Sequence, residues 1–346
     1  MPIKTADELY ALTKEILLAA GADESNASDV AEHLVSANLS GVDTHGVWHV
    51  GGYVKGIQNG DIVPDAHPQI VRESPTSALV SGNWTFGQVA AKYAMSVAIA
   101  KARAQNIAIV SLIQSHHIGR LGYYVELATA QNMGAMVWAG GYGEQEPAAV
   151  PYGGRTRVLH TNPISIGLPL EPDHPMMFDF ATTALSGVKV VNAQRQGKAL
   201  PPNTIVDKDG KPTTDPNDFF AGGAHIPFGE HKGYGLMMAA EFLGRIFSGA
   251  NAYADAARGG PIMRHQGVTM IAFRTDLFQT AEQYEKTARE MEQRVHAVPP
   301  APGFQEVLVP GDLEFRTRQT RQREGIPVDD AVWQSLMEAQ DSVTQG

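Results

Sequence analysis

Apolar residues recur at helical spacing at both ends of the chain, whereas its middle carries short continuous apolar runs. Thr5-Ala6-Asp7-Glu8 has the spacing of a capping box, and Leu9, Leu12, Ile16 and Ala19-Ala20 follow on one face of a helix that stops at Gly21. A second start signal, Asp23 to Ser28, precedes the stripe Val30, Leu34, Val35 and Leu39, which ends at Gly41. Tyr53, Val54 and Ile57 predict a short third helix running to the turn dipeptide Asn59-Gly60.

The centre alternates between strands and helices. Ala78-Leu79-Val80 predicts a short strand, Phe86 to Ala104 an Ala-rich helix, and Ile107 to Ile113 a buried β-branched strand that delivers the chain into Ser115-His116-His117. A helical pattern runs from Gly119 to Gln131, and the strand Ala135 to Ala139 leads into Gly140-Gly141-Tyr142-Gly143. Beyond residue 144, Pro151, Pro163, Pro169 and Pro172 exclude long helices and favour antiparallel or mixed pairing of short strands. Further along, Met176 to Phe180 and Val268 to Phe273 predict strands, Leu236 to Phe247 and Ala281 to Val295 helices, and Asp207 to Asp215 a run of turns. Pro299-Pro300-Ala301-Pro302-Gly303 is a linker, followed by a strand near Val307 and two closing helices. The fold class is α/β (α+β), with a mixed, largely antiparallel central sheet.

Composition narrows the chemistry. The 346 residues are 43% hydrophobic and 18% charged, enough for a large core and two substructures. A formal charge of −10 argues against a nucleic-acid or anionic-membrane surface, so any anionic ligand needs a local positive site. The absence of cysteine removes disulfides, thiolate ligands and Cys nucleophiles and fits a reducing compartment. Asp7 and Glu8 stand where a signal peptide would be basic and apolar, and the most apolar stretch, Val89 to Ala100, is short and interrupted by Lys92. The expectation is a soluble, cytoplasmic protein.

Candidate chemistry sits at the expected strand and helix ends. Gly41 to His49 places a hydroxyl, a carboxylate and two imidazoles within a few residues, after the second helix. Ser115 to Arg120, His160-Thr161-Asn162-Pro163, Asp179 to Thr183 and His231-Lys232-Gly233 add further imidazoles and hydroxyls with Arg120, Lys232 and Asp179. Each cluster alone reads as turn or capping chemistry; together they supply what an active site at a sheet margin requires. The Gly-x-Gly-x-x-Gly fingerprint of a doubly wound dinucleotide fold is absent, as are a Walker A loop, a Gly-x-Ser-x-Gly elbow and a His-Glu-x-x-His helix. A metal-dependent hydrolase or lyase with His45, His49, His116 and His117 as ligands stays open, as does a catalytically silent binding protein.

In their order, these clusters resemble the type 2 malate/L-lactate dehydrogenase family, which includes sulfolactate, ureidoglycolate and hydroxycarboxylate dehydrogenases and an imine reductase. The resemblance extends nearly end to end: Thr44-His45-Gly46, Ser115-His116-His117-Ile118-Gly119, Thr161-Asn162-Pro163, Asp179 to Thr183, Asp209-Gly210 to Pro216, His231 to Leu236, and Pro310-Gly311. It implies a non-Rossmann dinucleotide-binding fold, with a helical substrate and dimerisation domain (1–75 and 300–346) and an NAD(P)-binding α/β domain (76–299). It further implies hydride transfer between NAD or NADP and C2 of a small 2-oxo/2-hydroxy carboxylate, or the corresponding reduction of a cyclic imine carboxylate. The chain would act as a homodimer and without a metal.

By match, His45 is the proton donor and acceptor, assisted by Thr44 and by Asp179 as the acid of a relay. Cofactor contacts carried over are His117, Ile118, Gly119, Thr161, Asp179, Ala181, Thr182, Lys232, Gly233 and Gly311. Gly233 and Gly235 could instead serve helix packing. Three positions depart from the family pattern: His49 where an Arg commonly holds the substrate carboxylate, His160 where Gly is usual, and Asp312 where Glu commonly follows Pro-Gly. Arg120 is the natural substitute clamp, with His49 and Thr161 lining the substrate pocket.

Overall fold

A computed structural model describes the chain except residues 142, 144, 172, 173, 345 and 346, so Tyr142 and Pro172 lie outside the described residues. The helices are α1 Ala6–Ala19, α2 Glu24–Leu39, α3 Val50–Gln58, α4 Gly87–Gln105, α5 Gly122–Thr129, α6 Gly187–Gln196, α7 Pro216–Phe220, α8 Glu230–Glu241, α9 Gly260–Met263, α10 Ala281–His296, α11 Asp312–Glu324 and α12 Asp330–Thr344. The strands are β1 Ile3–Lys4, β2 Gln69–Glu73, β3 Ser77–Ser81, β4 Ile107–Ile113, β5 Met133–Gly140, β6 Ile164–Glu171, β7 His174–Phe180, β8 Ile205–Val206, β9 Pro212–Thr213, β10 Ala224–His225, β11 Gly267–Arg274 and β12 Ile326–Pro327.

The central sheet has the order β2-β3-β4-β11-β5-β6-β7. Within it β3 and β4 run parallel and every other neighbouring pair is antiparallel. This is a mixed α/β architecture, and its sheet is not the parallel doubly wound kind. The β-branched run of β4 is buried because α4 covers it: Val110 and Leu112 share a core with Ala90, Ala94 and Ala98. The alanines let helix and sheet approach closely.

A second core joins the two chain ends. Leu9, Ile16 and Leu17 of α1 and Val30 and Leu34 of α2 pack with Ile326, Leu336 and Ala339, and with Phe86 and Val89 from the start of α4. The capping box of α1 forms as its spacing predicts, Thr5 accepting from the Glu8 N–H and Glu8 from the Thr5 N–H.

Four expected boundaries move. The helix expected from Gly119 begins at Gly122, because Gly119 sits at φ +71° and His33 Nε2 accepts the Arg120 N–H at 3.0 Å, holding that segment off the helical path. The helix expected at Leu236 starts earlier, at Glu230, behind a left-handed Gly229. The same run then passes into a π-turn over Phe242–Ile246. The strand expected near Val307 does not form: the Val309 N–H is taken by the Asp312 carboxylate at 2.8 Å, so it has no sheet partner. Asp207 to Asp215 holds tight turns, with Asp207 accepting from the Asp209 and Lys211 N–H groups, but also carries the short strand β9. No helix among the described residues is long and apolar enough to cross a membrane.

Candidate active site

The segment after α2 makes two short 3₁₀ turns, Asp43–His45 and Val47–His49, before running into α3. Asn38 on the last turn of α2 fixes it from inside: its Nδ2 donates to Asp43 at 2.7 Å and its Oδ1 accepts the Val47 N–H at 2.9 Å. Arg321 of α11 fixes it from outside with a two-pronged pair to Asp43, at 2.7 and 3.0 Å. Gly46 is required by close approach, since a Cβ there would lie 2.1 Å from Asn38 Oδ1. Gly46→Ala is therefore expected to cost about 1–3 kcal/mol through forced displacement of Asn38. Urea denaturation checks this; an unchanged midpoint together with unchanged activity would contradict it.

His45 is held by one ring nitrogen. Its Nδ1 lies 3.1 Å from Thr44 Oγ1, while no bond engages Nε2 among the described residues. His49 Nε2 sits 3.0 Å from the Thr44 carbonyl, which can only accept, so that nitrogen carries the proton. The rings stack into a wall: His49 lies against His117 at 4.4 Å and nearly parallel to Tyr53 at 5.7 Å, and His45 faces His117 at 5.8 Å. The Tyr53 hydroxyl sits 2.8 Å from His117 Nδ1 and accepts from Gln88 at 2.6 Å.

Burial keeps these imidazoles neutral. It is the largest cause lowering His45 to about 4, with the Arg120 charge adding to it, and the largest cause lowering His49 to about 3 and His116 to about 4. His117 is also pushed well below the ordinary value, again chiefly by burial.

Arg120 is 1% exposed. Its Nη2 donates to Glu126 at 2.8 Å, and Glu126 also accepts from Arg318 of α11 at 2.9 Å. Nε and Nη1 of Arg120 are buried without a partner among the described residues. Although burial opposes its charge, Glu126 and then Asp179 raise the guanidinium above its ordinary value. Two desolvated, unsatisfied donors on a permanent cation suit a carboxylate.

Asp179, near the end of β7, accepts the Gly122 N–H at 2.7 Å; this bond goes to the backbone and not to His45, whose bonded neighbour is Thr44. Burial raises Asp179 to about 6 against the opposing Arg120 charge. Thr182 has a fully buried hydroxyl spent on the Thr161 and Asn162 carbonyls, at 2.9 and 3.0 Å, tying the strand ends together around Ala181. Phe228 N–H bonds the Thr182 carbonyl at 3.0 Å, which brings the start of α8 beside this cluster. There Lys232 is exposed, and its ammonium has no ion pair among the described residues. Gly233 is fixed by packing, as a Cβ would lie 1.7 Å from the Phe228 carbonyl, whereas Gly235 meets nothing within 4 Å.

The structure thus brings Thr44, His45, His49 and His117 together and adds Arg120 and Asp179 around Gly122. Ile118 is a core side chain. Gly311, at φ +107°, backs onto the Pro175 carbonyl at the other end of β7 from Asp179. Tyr53, Gln88, Asn38 and Arg321 belong to the site's support and carry no motif; in sequence, Asn38 and Tyr53 read only as helix residues. A cavity of 710 Å³ opens on Thr44 and His49, with Asn192 and Arg195 of α6 and Ser335 of α12 on its other walls.

The profile of the malate/L-lactate dehydrogenase family matches residues 4–337. Hydroxycarboxylate dehydrogenase B of Escherichia coli O157:H7 is 34% identical over 340 residues, which cover 96% of this chain and 92% of that protein. Sulfolactate dehydrogenase from Methanocaldococcus jannaschii superposes with a TM-score of 0.89 at 32% identity, over 99% of this chain and 98% of that one. The Δ1-piperideine-2-carboxylate reductase from Pseudomonas syringae pvar. tomato superposes with a TM-score of 0.86 at 28% identity, over 98% of this chain and 100% of the other. With fold, length and sequence in agreement, the chain belongs to the malate/L-lactate dehydrogenase family of oxidoreductases.

Proposed function

We propose that the protein moves a hydride between NADH or NADPH and C2 of a small 2-oxo/2-hydroxy carboxylate, with His45 supplying and removing the proton. The observation that carries this reading is His45 itself: Nδ1 is anchored on Thr44, Nε2 is uncommitted, and the loop is fixed by Asn38 and Arg321. A nicotinamide supplies the hydride when bound. The exposed Lys232, the N-terminal turn of α8 and the close-packed Gly233 suit its pyrophosphate.

The proton follows from electrostatics. In the oxidation direction the neutral His45 accepts the hydroxyl proton as hydride leaves C2. In reduction the imidazolium must form; burial is the main cause that depresses His45, and a substrate carboxylate on Nε and Nη1 of Arg120 would cancel the lesser one, the Arg120 charge. Asp179 acts in this reading on Arg120 and the Gly122 N–H, a position from which it orients the clamp. Arg120→Ala is expected to raise KM for a 2-oxo acid about 100-fold, in line with removal of one partner from a buried charge pair. Arg120→Lys, which keeps the charge on Glu126, should recover part of it; an unchanged KM in the Ala variant rules the clamp out.

A cyclic imine carboxylate is the second reading, favoured by the likeness to the piperideine-carboxylate reductase; His45 would then protonate nitrogen in place of oxygen. A metal-hydrolase reading loses support: the group of three with ligand atoms close enough for an ion, among the described residues, excludes His45, His49, His116 and His117. The division into a helical domain (1–75 with 300–346) and an NAD(P)-binding domain (76–299) is part of this reading; the second core is built mainly from the chain ends, with Phe86 and Val89 of α4 joining it and β2 belonging to the central sheet. Exposed Phe242, Ile246, Phe247 and Tyr253 support a homodimer, to be checked by solution mass.

A further inference from the structure

We infer that His174, Glu292 and Asp312 bind one divalent transition-metal cation at a site separate from the candidate active site. One ligand atom from each of the three lies within 4.8 Å of the others, and they come from three elements, β7, α10 and α11. His174 Nε2 stands 3.0 Å from Asp312 Oδ1. That separation is an ion-pair contact in the metal-free protein, and it has to open only to about 3.4 Å to become the edge between adjacent tetrahedral ligands at about 2.1 Å from an ion. An imidazole with two carboxylates suits zinc and its neighbours better than magnesium or calcium, which favour all-oxygen shells.

The surroundings orient the ligands. Asp312 is 2% exposed, and its second oxygen accepts from His296 Nε2 and from the Val309 N–H, each at 2.8 Å. The His174 ring is stacked on Phe315 at 4.2 Å and 11°. A carboxylate fixed in this way by outer hydrogen bonds, as Asp312 is, is typical of a ligating group. His296 lies one helical turn after Glu292, so α10 offers both on one face.

The site is five residues along β7 from Asp179, about 16 Å at the rise of a strand, and none of its groups touches His45 or Arg120. Its consequence would be structural. It pins the first residue of α11, the helix whose Arg318 holds Glu126 and whose Arg321 holds Asp43.

The test uses the full-length protein stripped by chelator, titrated calorimetrically with zinc alone and with magnesium alone, with metal content measured after dialysis. The expected result is one equivalent of zinc per chain, no saturable magnesium binding, and a raised melting temperature. Glu292→Gln should weaken zinc at least about 10-fold, and His296→Gln about 10–100-fold. His49→Asn should leave the stoichiometry unchanged. Circular dichroism confirms that each variant is folded. No saturable zinc binding, equal magnesium binding, zinc affinity unaltered in Glu292→Gln, or stoichiometry lost in His49→Asn would each overturn the assignment.

Discussion

Replacing His45 by asparagine is expected to lower turnover in both directions by about 10²–10⁴-fold, the usual worth of a positioned acid or base, while cofactor affinity changes little. Asparagine keeps a polar group beside Thr44 Oγ1 but cannot carry the proton. The loop should survive the change, because Asn38 and Arg321 hold it through Asp43 and Val47 and not through the imidazole. The pH dependence has a definite sign. Burial and then Arg120 lower His45 to about 4, so the free protein presents the base form at neutral pH. Oxidation through kcat/KM should therefore rise with pH through that region and level off, while reduction should fall as pH rises. Steady-state profiles in both directions check this; an Asn variant that retains wild-type turnover removes His45 from the chemistry.

Acidification should unfold the protein steeply between about pH 6.5 and 4. His45 and His116 are lowered to about 4 and His49 and His160 to about 3, all from the ordinary imidazole value of 6.5 and chiefly by burial. His33 and His117 shift the same way. As pH falls below 6.5 the unfolded chain binds protons that the folded imidazoles refuse, so stability present at neutral pH is lost. Each such group removes about 1.4 kcal/mol per pH unit in that window. Asp179 works in the opposite direction, since burial raises it to about 6 and its protonation favours the folded state as pH drops. One carboxylate does not offset several imidazoles. Urea midpoints should fall sharply from about pH 7.5 to about pH 5, with His49→Gln showing a shallower decline. A midpoint independent of pH over that range would mean that the rings are solvated.

The sequence carries the local decisions well. The capping box at Thr5, the run Ile107 to Ile113 and the alternation of helix and strand report interactions among neighbours in the chain, and those elements form where the pattern places them. Boundaries set by distant groups are illegible. Gly119 fails to start a helix because His33, far away in sequence, captures the Arg120 N–H. The segment at Val307 stays out of any sheet because Asp312 takes a backbone donor that a strand would need.

The site divides in the same manner. Residue types in short clusters marked Thr44, His45, Arg120 and Asp179, and the structure gathers them. What holds them was hidden: Arg321 reads only as one of several arginines on a charged helix, yet it grips Asp43 in the segment that carries His45. The relay expected from Asp179 to His45 is also redrawn, since the carboxylate bonds to Gly122 and the imidazole to Thr44. Side-chain direction at a strand end depends on its tertiary neighbours, which spacing along the chain does not encode.

The most direct measurement is oxidation of NADH and of NADPH, followed by nicotinamide absorbance, against a panel of small 2-oxo acids and cyclic imine carboxylates, with wild type and His45→Asn in parallel. The proposed function predicts turnover of at least one carboxylate with one of the two cofactors, lost in the variant while the cofactor still binds. Cofactor binding without turnover of any substrate, or turnover that persists without His45, would contradict it.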